Sequence, residues 1–452
     1  MNRLIANTVT VVLAGLLPIP VMVQNPAMTT ALGPSQNVLA AWGGNRDDNK
    51  WIGTWAAAPQ PSMPGGLESF RNQSLRLIVH TSAGGRKVRI KISNAFGDRP
   101  LRIGGAHIAR SAAEAAIDPT SDRTLMFNGH ASTTVPARSM VVSDPVELDV
   151  PALSDLVISL FLPEATDATT THILAMQTNY VSAVGDSTGA AKFPVAKKIH
   201  SWPFLTGVDV EVSPRGVAIV AFGSSLTDGD GTTSDANARW PDVLAKRLQE
   251  AKGANGKAEI GVLNEGIIGN RLLNDSPVEA AGGRFGAALG QAGLKRFERD
   301  ALSQAGIKYV VVGLGINDIA MPGSLAPASE SISAESVIAG YRQLIARAHE
   351  KGIRIIGTTN PAFEDSYLEF APPTPSVTFF TPEKEIVRQK VNDWIRSGGE
   401  FDGVVDLDEV LRDPSHPTRL LPSFDSGDHL HPNDAGCVVE GNAFPLALFE
   451  SH

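Results

Sequence analysis

The pattern of apolar and polar positions changes character partway along the chain. Between Trp51 and about Val212 the apolar residues come in short, β-branched runs. Leu75-Arg76-Leu77-Ile78-Val79-His80 is one such run, and Val88-Arg89-Ile90-Lys91-Ile92 alternates strictly, as a strand with one buried face does. Gly84-Gly85 between them predicts a hairpin turn. Further runs follow at 139–142 and 156–161, with Pro, Asp and Gly between them and no long amphipathic helix. That spacing predicts a β-sandwich of jelly-roll-like kind over residues 51–212. Pro194, Pro203 and Pro214 mark the connection out of it.

From residue 213 to 452 the reading is different. Val217-Ala218-Ile219-Val220-Ala221-Phe222 is continuously apolar, which suits a strand buried on both faces. Residues 240–250 have helical spacing, 258–263 read as a second strand and 308–312 as a third. An amphipathic helix is predicted at 336–351, a fourth strand at 354–358, another helix at 384–396 and a fifth strand at 403–406. The alternation predicts an α/β fold with a parallel sheet flanked by helices. In such sheets, sites form beyond the carboxyl ends of the strands.

Ahead of both halves, Arg3 precedes a largely apolar, uncharged stretch at 4–23. A signal peptide is expected over residues 1–31, with a flexible leader at 32–50. The competing reading is a membrane anchor, since the stretch approaches spanning length. Pro18 and Pro20 weigh against it by interrupting backbone bonding. The expectation is therefore a secreted or periplasmic protein without stable membrane insertion after cleavage.

Composition narrows the function classes. Apolar residues make up 42% and charged residues 19%, which excludes disorder along most of the chain. A net charge of −9, with no dense Lys/Arg stripe, argues against a nucleic-acid partner. Cys437 is the one cysteine, so an intrachain disulfide and a cysteine-rich zinc site are both excluded.

Four loops carry candidate chemistry. Gly223-Ser224-Ser225-Leu226-Thr227-Asp228-Gly229 follows the strongest strand and can lift a hydroxyl to the sheet edge. Alone it reads as a glycine-serine turn, and it matches neither G-x-S-x-G, a dinucleotide fingerprint nor a phosphate loop. Asn264-Glu265-Gly266-Ile267-Ile268-Gly269-Asn270 offers a glycine whose N–H can approach a ligand closely. Gly313-Leu314-Gly315-Ile316-Asn317-Asp318 offers a side-chain amide, with an Asx-turn or helix cap as the plainer reading. In Asp428-His429-Leu430-His431-Pro432-Asn433, an Asp and a His three apart can hydrogen-bond, which fixes the tautomer and leaves one ring nitrogen as a base. Asn433 or Asp434 can cap a terminal helix reaching towards Phe449. Asp428, His429 and His431 also have the composition of a metal cluster, but no third-ligand spacing accompanies them.

Taken in chain order, these loops resemble those of the SGNH hydrolases, also called GDSL esterases/lipases. Gly223-Ser224-Ser225-Leu226 is similar to the first block, Gly269 to the second, Gly315-Ile316-Asn317-Asp318 to the third and Asp428-His429-Leu430-His431-Pro432 to the last. The resemblance covers roughly residues 215–450. One departure is Ser224, which stands where the first block usually has Asp. The β-rich half is more loosely similar to the N-terminal domain of larger secreted bacterial members.

The resemblance implies a three-layer α/β/α domain and a serine-esterase mechanism. Ser225 would be the nucleophile, His431 the base and then acid, and Asp428 the orienting carboxylate. The oxyanion would be received by the backbone N–H groups of Ser225 and Gly269 and by the Asn317 amide. No metal or organic cofactor is implied. The expected substrate is a small-molecule or carbohydrate ester bearing a short acyl or acetyl group. Trp51, Trp55 and Trp202 are candidates for stacking on a sugar, although scattered tryptophans more often pack a core. Two rivals are a surface glycan-binding protein with a weak or inactive hydrolase domain, and an acyltransferase of the same fold.

Overall fold

A computed structural model describes residues 49–255, 259–369 and 376–450. The expected signal peptide, and residues 32–48 of the expected leader, lie outside the described residues.

Up to Val212 the named strands pair antiparallel, most of them in two sheets of five and seven strands. Gln73–His80 pairs with Asp155–Leu162 and Asn179–Val184 in one sheet. Gly85–Ser93 pairs with Leu205–Val212, Met140–Val142 and Val146–Val150 in the other. The two runs flanking Gly84-Gly85 are therefore not hairpin partners, contrary to the expectation from sequence. Thr81, Ser82 and Ala83 carry the chain from one sheet to the other, held by bonds such as Ser82 N–H to the Thr54 carbonyl. Gly84 serves close packing there, because a Cβ on it would stand 2.7 Å from the Val150 carbonyl oxygen. Alternation still does its work: Leu75, Leu77 and Val79 meet Val88, Ile90 and Ile92 in one core between the sheets.

Trp55 and Trp202 belong to that core, edge to face with ring centroids 4.9 Å apart. The Trp202 indole N–H donates to the Ile78 carbonyl. Trp51 lies under the Arg89 guanidinium. Packing accounts for Trp55 and Trp202, whereas Trp51 is only partly buried.

The second half is built on five parallel strands: Val217–Gly223, Ile260–Asn264, Ile307–Gly313, Arg354–Thr358 and Gly403–Val405. Their order across the sheet is second, first, third, fourth, fifth. Along the first strand, Ile219 and Ala221 face a core shared with helix Trp240–Asn255. Val220 and Phe222 face the opposite core, shared with helices Ala334–Glu350 and Pro382–Ser397. Burial on both faces explains the uninterrupted apolar run. The terminal helix is Asp434–Ala443, capped by the Asn433 side chain on the Gly436 N–H. It ends before Pro445, which lacks an N–H, and Phe449 sits on a separate 3₁₀ turn rather than on the helix.

The strand order positions the site. From the first strand the chain moves to one neighbour and then crosses back to the other. The loops after the first three strands thus gather at one point on the carboxyl edge, a topological switch point. The antiparallel half packs directly against this sheet. Strand Lys50–Ala56 meets Ile260–Asn264 so closely that a Cβ on Gly261 would stand 2.0 Å from the Gly53 carbonyl oxygen.

Candidate active site

The first strand ends at Gly223, and Ser225 opens the short helix Ser225–Asp228. This abrupt turn needs Gly223, whose Cβ would otherwise stand 2.0 Å from the Thr227 hydroxyl. Ser225 is largely buried, with its hydroxyl 2.8 Å from His431 Nε2. His431 Nδ1 lies 2.5 Å from Asp428 Oδ2. An ionised carboxylate only accepts, so Nδ1 carries the proton and Nε2 accepts from the Ser225 hydroxyl. The three side chains that the sequence singled out are joined in one hydrogen-bond chain across 206 positions of sequence.

Local backbone geometry holds the carboxylate end. Asp428 Oδ1 accepts from the N–H groups of Leu430 and His431 at 3.0 and 2.9 Å. Burial raises the Asp428 carboxyl, but the His431 ring and those N–H groups outweigh it and bring it down to about 2. For His431, burial works downward, while Asp428 with the charges of Asp230 and Asp425 raises the imidazole above its ordinary value. His429 turns away: its ring bonds to Asp425 Oδ2 at 2.6 Å and is about half exposed. Among the described residues no three His, Cys, Asp or Glu side chains converge as a metal set, so the Asp428/His429/His431 metal reading has no geometric support.

The two remaining loops face the same cleft. Gly269 adopts a left-handed backbone, φ +68°, and lines it. Asn317 lies in the first turn of helix Ile316–Ala320, and its amide donates to the Asn270 carbonyl at 3.0 Å. The group has two N–H bonds, so the anchored one leaves a second available towards the cleft. Gly315, just before this helix, has φ +119°, and a Cβ there would stand 2.4 Å from the Tyr341 hydroxyl. Ser225, Gly269, Asn317, Asp428 and His431 all line one cleft of about 110 Å³. Its walls are largely apolar, with Leu289, Met321, Leu325, Phe379 and Leu430 among them.

Sequence reasoning missed several residues here. Asp230 places a carboxylate 3.8 Å from His431 Nε2. Asp318, next to Asn317, accepts from the Leu272 and Leu273 N–H groups at 2.6 and 2.8 Å, and burial pushes its carboxyl up to about 6. Arg296 is fully buried and donates to the Gly223 and Glu265 carbonyls and to the Asn270 side chain, tying the first two loops together from behind. Asp228, within the first loop, bonds to His172 from the antiparallel half. Only Asp228 and Asp318 had a signal available, as carboxylates inside the motif loops; Asp230 lies one residue beyond the first. Ser224 is buried, and its hydroxyl has no hydrogen-bond partner.

Residues 221–438 match the GDSL-like Lipase/Acylhydrolase family. No curated protein matches the chain. Among solved structures it is similar to an aryl esterase from M. smegmatis, at 17% identity over 50% of this chain and 95% of that one, with a TM-score of 0.35. A carbohydrate acetylesterase from Sinorhizobium meliloti aligns at 15% identity over 50% and 95% of the two chains, with a TM-score of 0.34. A protein of the G-D-S-L family from Desulfitobacterium hafniense aligns at 17% identity over 50% and 97%, with a TM-score of 0.33. Residues 221–438 thus form a GDSL-like lipase/acylhydrolase domain, and the chain is a hydrolase of ester bonds.

Proposed function

We propose that the protein hydrolyses carboxylic esters through an acyl-enzyme on Ser225. The observation that carries this reading is the hydrogen-bond chain from Asp428 through His431 to the Ser225 hydroxyl. A serine hydroxyl is a weak nucleophile near neutral pH and needs an adjacent base. His431 Nε2 takes the hydroxyl proton as Oγ attacks the ester carbonyl carbon. Negative charge then develops on the carbonyl oxygen, towards the N–H groups of Ser225 and Gly269 and the free N–H of Asn317. His431 returns the proton to the departing alcohol oxygen. Water repeats the sequence, His431 accepting its proton and handing it back to Ser225 as the carboxylic acid leaves. Asp428 stays ionised throughout and stabilises the imidazolium.

The cleft speaks to the acyl half of the substrate. Apolar walls beside Ser225 suit a short aliphatic or aryl acyl group better than a charged one, and Asp230 at the same place disfavours an anionic ester. Acetylated carbohydrate is a narrower form of the same reading, with the sugar as the leaving alcohol. A chain-length series of p-nitrophenyl esters beside acetylated xylan tests it, with Ser225→Ala as control. Each methylene that finds wall contact adds about 0.8 kcal/mol, roughly fourfold, so kcat/KM rises from acetate to butyrate. Activity surviving in Ser225→Ala, or a strict preference for acetyl, refutes the corresponding part.

A further inference from the structure

We propose that His172, on the antiparallel half, is a positioning residue for the oxyanion site, acting through Asp228. The inference rests on the Ser225 mechanism above and adds a working role for the β-rich half.

His172 and Asp228 are both nearly inaccessible, at 3% and 2% exposure. The two His172 ring nitrogens face oxygen acceptors: Nδ1 lies 3.0 Å from the Ala58 carbonyl and Nε2 lies 2.9 Å from Asp228 Oδ1. The ring is therefore held at both ends. The second oxygen of Asp228 accepts the Ile268 N–H at 2.9 Å. Ile268 immediately precedes Gly269, and Asp228 itself stands one helical turn after Ser225, its N–H on the Ser224 carbonyl. One carboxylate thus joins the nucleophile turn to the loop that presents the Gly269 amide, and His172 fixes that carboxylate from outside.

The surroundings leave Asp228 little freedom. A Cβ on Gly266 would stand 2.3 Å from the Asp228 nitrogen, so the second loop crosses tightly over the first. The Asn264 amide donates to the Thr227 carbonyl, and the Ile267 N–H to the Gly223 carbonyl. The His172 backbone is in turn held by paired bonds with Trp202. A second strut from the same half, the Gln60 amide on the Ala288 carbonyl at 2.6 Å, reaches the segment that carries Leu289 of the cleft wall. An oxyanion donor contributes only when it sits at hydrogen-bond distance from the developing charge, so tilting the Gly269 peptide weakens transition-state binding more than substrate binding.

The test is steady-state hydrolysis of p-nitrophenyl butyrate by the full chain, with folding followed by circular dichroism. His172→Leu and Asp228→Ala are each expected to lower kcat by about 10²-fold with KM nearly unchanged. Asp228→Asn is the rescue: its oxygen can accept from Ile268 while its NH₂ donates to His172 Nε2, so kcat recovers most of the loss. Combined with Asn317→Ala, the His172→Leu loss is less than multiplicative, because both changes act on the same charge. Full kcat in a folded His172→Leu, an effect on KM alone, or Asp228→Asn as poor as Asp228→Ala overturns the inference. If His172→Leu does not fold, the contrast between Asp228→Ala and Asp228→Asn decides by itself. Hydrolysis persisting in Ser225→Ala would instead overturn the Ser225 mechanism, and so separates that failure from this one.

Discussion

At the scale of single residues, His431 carries the most specific expectations. It stands between Ser225 and Asp428, whereas His429 bonds outward to Asp425. His431→Ala should nearly abolish ester hydrolysis and His429→Ala leave most of it, as measured on folded variants. The pH profile follows from the sign of the shift. His431 is raised above its ordinary value by Asp428 and by Asp230 and Asp425 nearby, against the opposing pull of burial. Catalysis needs the neutral ring, so kcat/KM falls as pH drops through a value above 6.5. Removing one negative charge 3.8 Å from Nε2 favours the neutral form, so Asp230→Asn should move this acid limb to lower pH. A limb that stays in place, or moves up, would exclude Asp230 as an electrostatic neighbour of the base. Asp428 and His431 were legible in the sequence as a pair because they lie three apart on one bend, whereas Ser225 rather than Ser224 was picked out only by the resemblance to the SGNH blocks. Asp230 was not, since nothing in a linear motif says that its side chain turns back towards His431.

Secondary-structure elements place the oxyanion donors, and the loop after the third strand shows how. Gly315 gives the chain a left-handed turn that starts helix Ile316–Ala320, and the helix delivers Asn317 to the cleft. Asn317→Ala should lower kcat by about 10²–10³-fold with little change in KM, the signature of a group that acts on transition-state charge. Gly315→Ala should destabilise the fold by about 1–3 kcal/mol, measured by urea unfolding, since it forces a strained φ and a collision with the Tyr341 hydroxyl. The strand and helix positions of this half were readable, because a strand buried on both faces and an amphipathic helix have distinct periods. The pairing around Gly84-Gly85 was not. Two glycines between two strands look the same whether the chain turns back on itself or crosses to a facing sheet. What decides is which surfaces the strands must bury, and that is settled by Asp155–Leu162 and Leu205–Val212, far along the chain.

For the whole molecule, the boundary near residue 212 separates two sheet types without separating two independent bodies. Strand Lys50–Ala56 covers Leu263, which is fully buried, and a Leu at such a contact contributes about 1.5–3 kcal/mol by its burial. Lys91 of the antiparallel half pairs with Asp209 at 2.9 Å and also donates to Gln304 of the other half at 3.0 Å. Asp228, buried and bonded to His172, would be left with an unpaired carboxylate oxygen if the β-rich half came away. None of this shows in the sequence, where His172 and Asp228 lie 56 positions apart in segments of different character. The consequence is cooperative unfolding. Separable halves would melt in two steps, with the parallel-sheet half keeping its activity after the first. Shared burial instead couples them, so the full chain should give one calorimetric transition, with hydrolysis and tryptophan fluorescence lost together. A fragment beginning at residue 213 should be poorly soluble or aggregate, because it exposes the apolar edge at Leu263. An active, monomeric fragment of residues 213–452 would refute the coupling, and so would an early transition that spares hydrolysis.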